Sequence, residues 1–375
     1  DDISMTQDYA TLLGYTQQEL ETYFATHIKQ LAAQLALSHQ HCLDTIRLWY
    51  NGYRFSRKQV RVYNPFSTLL LLRHREFHPH WFATGTPTFL IELLKQRPDI
   101  KPQQLSNCQV DQEAFLSYNL EHIEESLLPL LVQTGYLTID SCTTDPHTQE
   151  TTYRLNYPNQ EVRNAMLRQL LQSYSGAGAA EAGGTVRLLA QALRDNNLPT
   201  FFKHLRTLFA CVPYDMHIAK ESYYQSLFHL IHQLLGFPTA AQVHTNIGRI
   251  DSVVHTDKRI YIFEFKMGNV VTSDTTATVA TQTDDQALAT ATVHDARGDS
   301  DSVFADEQQP PVGDVLALKA LRQMKAKRYY EQYLAAGKEI VLVGAGFVWQ
   351  WQDDSGKPAR PVRQVTAWVS EVVAV

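Results

Sequence analysis

The chain has 375 residues, of which 44% are apolar and 19% charged, and its formal net charge is −6. These values are typical of a folded, soluble protein with room for two domains. No run approaches the ~18 apolar residues of a membrane span, and no signal peptide opens the sequence. The four cysteines are scattered without a C-x-x-C pair, which argues against structural zinc and against a disulfide scaffold. We therefore expect a cytoplasmic protein that has no membrane partner.

The charge is unevenly distributed along the chain. Residues 268–314 contain nine acidic side chains and one basic side chain, Arg297, so this low-complexity segment carries −8 and the rest of the chain +2. The net charge by itself would argue against a nucleic-acid partner. Without this segment, however, the protein is nearly neutral. We expect a flexible acidic insert that competes with nucleic acid for a basic surface.

The first 175 residues have mainly helical apolar spacing. A long helix is predicted after Thr16, which forms a capping-box pattern with Glu19. Further along, the pattern predicts a helix, a strand at 136–139, a polar loop and a strand at 152–155. This is the order of a winged-helix module, and a helical domain with one surface hairpin explains it equally well.

The Gly-rich stretch 176–184 is a predicted linker, and the region after it alternates helices with strands. Helices are predicted at 186–196, 198–209, 219–235 and 315–334, and strands at 242–246, 249–255, 259–267, 339–348 and 362–369. The second region, 185–375, therefore forms the α/β part of a protein that is α+β as a whole.

The segment GRIDSVVHTDKRIYIFEFKMG, residues 248–268, predicts two strands joined by a tight turn. It places Asp251, Glu264 and Lys266 among many apolar side chains. A buried charge is costly unless it is paired or holds a metal. Three charged residues in one hairpin therefore suggest a site.

A turn through 255–258 would set Asp251 opposite Ile262 and make it a diagonal neighbour of Glu264 on the same face, with Cα atoms ~7–8 Å apart. Two carboxylates at that distance can hold Mg²⁺, which prefers oxygen ligands and keeps several waters. The ion can polarise a phosphoryl oxygen and acidify a water that Lys266 orients or deprotonates. The D-x12-E-x-K pattern thus indicates phosphodiester hydrolysis, although its spacing alone fits an ordinary surface Glu–Lys pair equally well.

Two helices add polar residues at positions that should face the core. Glu221 heads the apolar stripe of the helix at 219–235, where a carboxylate needs a partner; a first-turn glutamate favoured by the helix dipole is the alternative. In the helix at 315–334, Gln323 and Lys327 occupy the middle of the inward face. Both helices could therefore contribute to the site in the hairpin.

The order of these elements, with Glu221, Asp251, the EFK sequence at 264–266 and Gln323, resembles that of the PD-(D/E)XK nuclease superfamily. The similarity is greatest to the branch that bacteria encode downstream of an AAA-ATPase-like domain. Further phrases typical of that branch are WYNGYRF at 49–55, YNPFS at 63–67, WFATGTPTFLIELLK at 81–95, LLVQTGYLTI and YRLNYPN. The resemblance implies a helical, winged-helix-like domain followed by a restriction-endonuclease-like αβββαβ core.

The resemblance also implies roles for individual residues. Asp251, Glu264 and Glu221 would bind Mg²⁺ or Mn²⁺, Lys266 would be the catalytic lysine, and Gln323 would be a helper near the substrate phosphate. Because the ATPase portion is absent, we expect the chain to be the C-terminal part of a longer protein, with an AAA-type ATPase domain as a partner. The acidic insert also departs from the family, since relatives should have a short connection there.

The helix at 315–334 has a basic character through Lys319, Arg322 and Lys327. These residues could track a phosphate backbone, or they could form an ordinary solvated face. Lys327 stands where some relatives have the tyrosine of a Q-x-x-x-Y motif, which leaves the role of Gln323 open.

The leading prediction is a metal-dependent nuclease that acts on DNA, with RNA as an open possibility. The alternative is a catalytically inactive nucleic-acid-binding or regulatory module that works with an ATPase. Metal titration separates the two, because only the nuclease needs a divalent ion at Asp251 and Glu264.

Overall fold

The computed structural model of the chain describes residues 5–81, 88–97, 102–116, 127–176, 178–210, 221–237, 239–245, 248–273, 276–279, 293–295, 312–352 and 360–373. It contains both helices and sheets, in agreement with the predicted α/β class. The chain divides into two compact units, 1–170 and 171–375. Among the helices in the ranges above, none has the length and apolar character that crossing a membrane requires.

The first unit is mainly helical. Its helices are α1 (Gln17–Tyr23), α2 (Ala25–Gln34), α3 (His39–Tyr50), α4 (Pro65–His74), α5 (Thr88–Gln96), α6 (Gln112–Leu116), α7 (Leu127–Gln133) and α8 (Gln160–Ser175), which crosses the boundary. Its strands are β1 (Asn51–Tyr53), β2 (Val62–Tyr63), β3 (Cys108–Asp111), β4 (Thr138–Thr144) and β5 (Thr151–Asn156). Strands β1 and β2 pair with each other, and the other three form an antiparallel sheet in the order β3-β5-β4.

The start of the first unit confirms the predicted capping box. The Thr16 hydroxyl accepts a hydrogen bond from the Glu19 backbone N–H, and the Glu19 carboxylate accepts one from the Thr16 N–H. The single long helix predicted after it is instead two helices, because Phe24 leaves the helical conformation between α1 and α2. Its ring packs edge-on against Tyr15, with centroids 5.3 Å apart.

The predicted hairpin of the first unit is present as β4 and β5, directly after α7. Strand β3, which the sequence did not predict, adds a third strand to it. Of the four residues of β3 only Val110 is buried, so this edge strand has no apolar alternation that sequence reasoning could detect.

The second unit is built around a seven-stranded sheet. Its helices are α9 (Ala179–Arg194), α10 (Leu198–Ala210), α11 (Glu221–Leu234) and α12 (Val312–Ala326). Its strands are β6 (Thr239–Thr245), β7 (Gly248–His255), β8 (Arg259–Ser273), β9 (Thr276–Val279), β10 (Val293–Asp295), β11 (Glu339–Gln352) and β12 (Arg360–Val373). The order is β10-β12-β11-β8-β7-β6, with β9 paired to β8; only the β8–β11 pair is parallel.

Helices cover both faces of this sheet. On one face, α12 packs through Ala317, Leu321 and Met324 against apolar residues of the central strands, such as Ile262 and Leu342. On the other face, α10 and α11 pack through aromatic rings. The Phe202 ring stacks on Trp368, and the Phe228 ring lies against Phe263 and Phe265.

Two predicted segments differ from the structure. Residues 179–184 of the predicted linker 176–184 form the first turns of α9, since this stretch is rich in alanine, the strongest helix former. Strands β9 and β10 and the ends of β8 and α12 lie within the predicted insert 268–314. The other residues of the insert lie outside the described part of the chain; they are 274–275, 280–292 and 296–311. The predicted flexibility of the insert concerns these residues and stays a prediction.

Helix α12 ends at Ala326, whereas the sequence predicted a helix to residue 334. Arg328 adopts a left-handed conformation with φ of 47°, and the Tyr329 N–H donates to the Met324 carbonyl. This is a Schellman-type end. It turns the Tyr329 ring into the core beside Met324, where its exposure is 2%. Burial of this ring explains why the helix stops early.

Candidate active site

The hairpin of β7 and β8 sets the register of the site. The backbone ladder pairs Ser252 with Phe263 and Val254 with Tyr261. Continued by one residue, this register places Asp251 directly opposite Glu264, not opposite Ile262 as predicted. The shift is two residues, and an even shift leaves both carboxylates on the same face of the sheet.

The turn explains the difference in register. The Thr256 N–H donates to the Arg259 carbonyl over 2.8 Å, and the Arg259 N–H donates to the Thr256 hydroxyl over 3.0 Å. Asp257 and Lys258 therefore form the two-residue turn, one position later than the sequence prediction. The side-chain bond from Thr256 fixes this choice, because it satisfies a backbone group at the end of the ladder.

Asp251 and Glu264 are both buried, with exposures of 8% and 2%. The Asp251 carboxylate accepts a hydrogen bond from the Phe265 backbone N–H over 2.9 Å, which fixes its position across the two strands. The Glu264 Oε1 atom accepts hydrogen bonds from Lys266 Nζ, 3.2 Å away, and from the Gln323 amide. The other oxygen, Glu264 Oε2, is buried and has no hydrogen-bond partner among the described residues.

The electrostatics of the site favour a cation near Glu264. Burial raises the pKa of Glu264 to about 7, and repulsion from Asp251 adds to the shift, while the Lys266 ammonium opposes it. Two oxygen ligands on adjacent strands suit a hard ion such as Mg²⁺, which keeps several waters. A bound cation would partner the orphaned Oε2 and lower the pKa of Glu264. The residues present therefore fit a divalent metal ion.

The third predicted ligand, Glu221, is the first residue of α11, and its side chain lies outside the described part of the structure. Helix α11 packs against Phe263 and Phe265. Because side chains alternate along β8, these rings lie on the face opposite to Glu264. Within the described residues, no cluster of three or more His, Cys, Asp or Glu side chains could hold a metal. The role of Glu221 stays a prediction.

The predicted basic residues lie at different places. Lys319 and Arg322 are exposed on α12. Lys327 lies beyond the end of the helix, with Nζ 5.8 Å from the centre of the Tyr329 ring. Its backbone N–H still donates to the Gln323 carbonyl over 3.0 Å, so Lys327 lies one helical turn after Gln323, at the C-cap of α12. Contact of these three basic residues with nucleic acid stays a prediction.

Sequence reasoning missed two residues next to the site. Strand β11 pairs with β8 in parallel, with Gly344 beside Glu264 and Gly346 beside Lys266. The signal was present as two glycines with i, i+2 spacing in the VLVGAGF sequence. Glycine inside a strand often marks a close approach of another backbone.

Comparison with known proteins gives a family match over part of the chain. Residues 219–294 match the PD-(D/E)XK nuclease superfamily. The match contains Glu221, Asp251, Glu264 and Lys266, and it ends before Gln323. The match supports a nuclease-type enzyme. Members of this superfamily generally use divalent metals.

An uncharacterized protein in the vnfD 5′ region of Azotobacter chroococcum mcd 1 is 32% identical over 352 residues. The alignment covers 92% of this chain and 56% of that protein, so the chain spans a little over half the length of this relative. No solved structure matches the chain.

Proposed function

We propose that the protein is a divalent-metal-dependent nuclease that hydrolyses phosphodiester bonds in DNA. The observation that carries this proposal is the position of Asp251, Glu264 and Lys266 on one face of a sheet, with Glu264 Oε2 buried and without a partner among the described residues. The superfamily match over 219–294 supports it. We place these residues in a PD-(D/E)XK-type αβββαβ core.

Each residue has a distinct part in the proposed reaction. Asp251 and Glu264 would hold the metal, which would supply Lewis-acid chemistry toward the phosphoryl oxygen and a bound water. Lys266 lies beside Glu264 with about a quarter of its side chain exposed, so its ammonium can reach both the site and the solvent. It orients the attacking water and offsets the negative charge that develops on the phosphate. The Phe265 N–H keeps Asp251 in place.

A nucleic acid is the proposed substrate because α12 carries exposed Lys319 and Arg322 near Gln323, where they can contact phosphates. We propose DNA as the leading substrate from the resemblance to the nuclease superfamily. We also propose that the winged-helix-like N-terminal region positions the DNA and that an AAA-type ATPase domain is a partner. RNA is tested alongside DNA, since phosphate contacts do not distinguish the two.

The test is cleavage of plasmid and linear DNA, and of RNA, by purified protein with Mg²⁺ or Mn²⁺. The Asp251→Ala/Lys266→Ala variant should lose at least about 100-fold in rate, because it removes a metal ligand and the ammonium that orients the water and offsets the developing charge. The matched control is Asp257→Ala/Lys258→Ala, which removes the same two residue types from the exposed turn of the same hairpin and should cleave like wild type. Equal cleavage by wild type and the site variant would refute the proposal.

A second function, a metal-free binding module, is favoured by one observation. Glu264 Oε1 is already engaged by Lys266 and Gln323 inside the chain, so part of its charge is compensated without an ion. A module of this kind should bind DNA with salt-dependent affinity and show no heat of Mn²⁺ binding that depends on Asp251.

A further inference from the structure

Two glycines bring α12 against the candidate site. Gly344 and Gly346 pair with Glu264 and Lys266 in the parallel β8–β11 ladder. Directly paired residues lie on the same face of a sheet, so both glycines are on the face of the carboxylates. Helix α12 covers this face.

The backbone of α12 occupies the space in which a side chain at these positions would lie. A Cβ atom on Gly344 would lie 2.8 Å from the Leu321 nitrogen and still closer to the Ala317 carbonyl oxygen. A Cβ on Gly346 would meet Leu316 Cβ at 2.9 Å and, closer still, the Gly313 carbonyl oxygen. Backbone atoms cannot rotate away as a flexible side chain can. Any residue other than glycine therefore pushes α12 away from the sheet.

The position of α12 decides whether Gln323 reaches Glu264. Its Nε2 atom donates to Glu264 Oε1, the same oxygen that accepts from Lys266. Both donors thus hold one oxygen and leave Oε2 available. A hydrogen bond is lost within about 1 Å of outward movement, so the contact requires close packing of the helix. The amide is also neutral, so it fixes the carboxylate without adding a positive charge that would compete with a cation.

We infer that Gln323 is a positioning residue for Glu264, which it orients with Oε2 toward the metal, and that Gly344 and Gly346 set α12 at the depth that this contact needs. This inference rests on the proposed function, because it takes Glu264 as a metal ligand. It differs from the sequence expectation, in which Gln323 contacts the substrate phosphate.

The test measures Mn²⁺ binding by calorimetry on the whole chain without DNA, and the Mn²⁺ dependence of cleavage in parallel. Gln323→Leu should bind Mn²⁺ about 10-fold more weakly. The Mn²⁺ concentration for half-maximal cleavage should rise by the same factor, with a rate at saturating Mn²⁺ close to wild type. The matched control is Gln191→Leu on the exposed side of α9, which should leave both quantities unchanged.

Two further variants keep the test decisive. Gln323→Asn shortens the side chain by one methylene and should reproduce the loss if leucine is not tolerated. Gly344→Ala should weaken Mn²⁺ binding through displacement of α12. Combined with Gln323→Leu, it should add no further loss, since both act on one contact. Thermal unfolding of each variant identifies any that do not fold.

The outcomes separate the inference from the function. If wild type binds Mn²⁺ and cleaves DNA while Gln323→Leu binds Mn²⁺ equally well, the inference is overturned and the proposed function stands. If Gln323→Leu keeps its Mn²⁺ affinity and loses the rate at saturating Mn²⁺, Gln323 acts on the substrate instead. If wild type neither binds Mn²⁺ nor cleaves nucleic acid, both proposals fail.

Discussion

At the scale of single residues, the most unusual feature of the first unit is the buried carboxylate of Glu161. It is fully buried near the start of α8, and its Oε1 atom accepts hydrogen bonds from the Ser67 hydroxyl over 3.0 Å and the Trp81 N–H over 2.8 Å. Burial raises the pKa of Glu161 to about 7, against the lowering effect of these two bonds. The free-energy cost of removing the charged carboxylate from water therefore exceeds the stabilisation that the two hydrogen bonds give to the charge.

This shift has a defined consequence for stability. The pKa of Glu161 is higher in the folded protein than its value of 4.5 in the unfolded chain, so folding binds a proton between these values. The free energy of unfolding therefore falls as the pH rises from about 4.5 to about 7 and is flat above. Glu264 contributes with the same sign.

We predict that Glu161→Gln removes part of this pH dependence. A glutamine keeps an acceptor for Ser67 and Trp81 and cannot ionise. The free energy of unfolding of the variant, minus that of wild type, should rise by up to about 3 kcal/mol from pH 4.5 to pH 7.5, because the pKa of Glu161 is 4.5 in the unfolded chain and about 7 in the folded protein. Urea unfolding across this pH range measures it. Glu92→Gln, at an exposed position, is the control, and parallel pH profiles for Glu161→Gln and wild type would contradict the prediction.

At the scale of elements, the end of α12 offers a direct test of local conformation. Arg328 holds φ at 47°, a region that costs a non-glycine residue roughly 1–2 kcal/mol. Among the residues that the structure describes, its guanidinium pairs with Glu331 at an exposed position, and such a pair adds little.

We predict that Arg328→Gly stabilises the protein by about 0.5–1 kcal/mol, because glycine adopts this conformation without strain and part of the gain is lost to its greater freedom in the unfolded chain. Arg322→Gly, in the interior of the same helix, should instead destabilise by about 1 kcal/mol. Denaturant midpoints at constant m-value measure both changes. If Arg328→Gly destabilised the protein as Arg322→Gly does, the left-handed conformation at Arg328 would carry no strain.

The elements also show how far the sequence could predict the fold. The apolar alternation of β7 and β8 and the apolar run of β11 predicted these strands and the shared face of Asp251 and Glu264. The register depended on one hydroxyl, that of Thr256, and the end of α12 on burial of Tyr329; neither has a periodic signal. The sequence placed Gln323 on the inward face of its helix and so near the site. Its contact with Glu264 itself depends on two glycines 21 and 23 positions further along the chain, and this part is visible only in the packing of α12 on β11.

At the scale of the whole molecule, the described residues on either side of the segment 296–311 lie near each other in the second unit. Asp295 pairs with Ala367 at the edge of the sheet. A Cβ atom on Gly313, in the first turn of α12, would lie 3.2 Å from Ala367 Cβ. The segment contains four acidic side chains and one arginine, a net charge of −3. Only the helix that follows the segment, α12, contributes to the candidate site, through Gln323.

We predict that this charge weakens DNA binding by competing for the basic side chains. A variant with the four acidic residues of 296–311 changed to Asn or Gln should bind DNA more tightly at low salt, because the local repulsion is removed. The gain should disappear at high salt, where charges are screened beyond ~3 Å at 1 M. Fluorescence anisotropy at both salt concentrations measures it. The control neutralises four exposed acidic side chains of the first unit, Asp8, Asp44, Glu92 and Glu113. An equal gain in this control would assign the effect to net charge alone, and unchanged affinity of the 296–311 variant at low salt would refute competition by the segment.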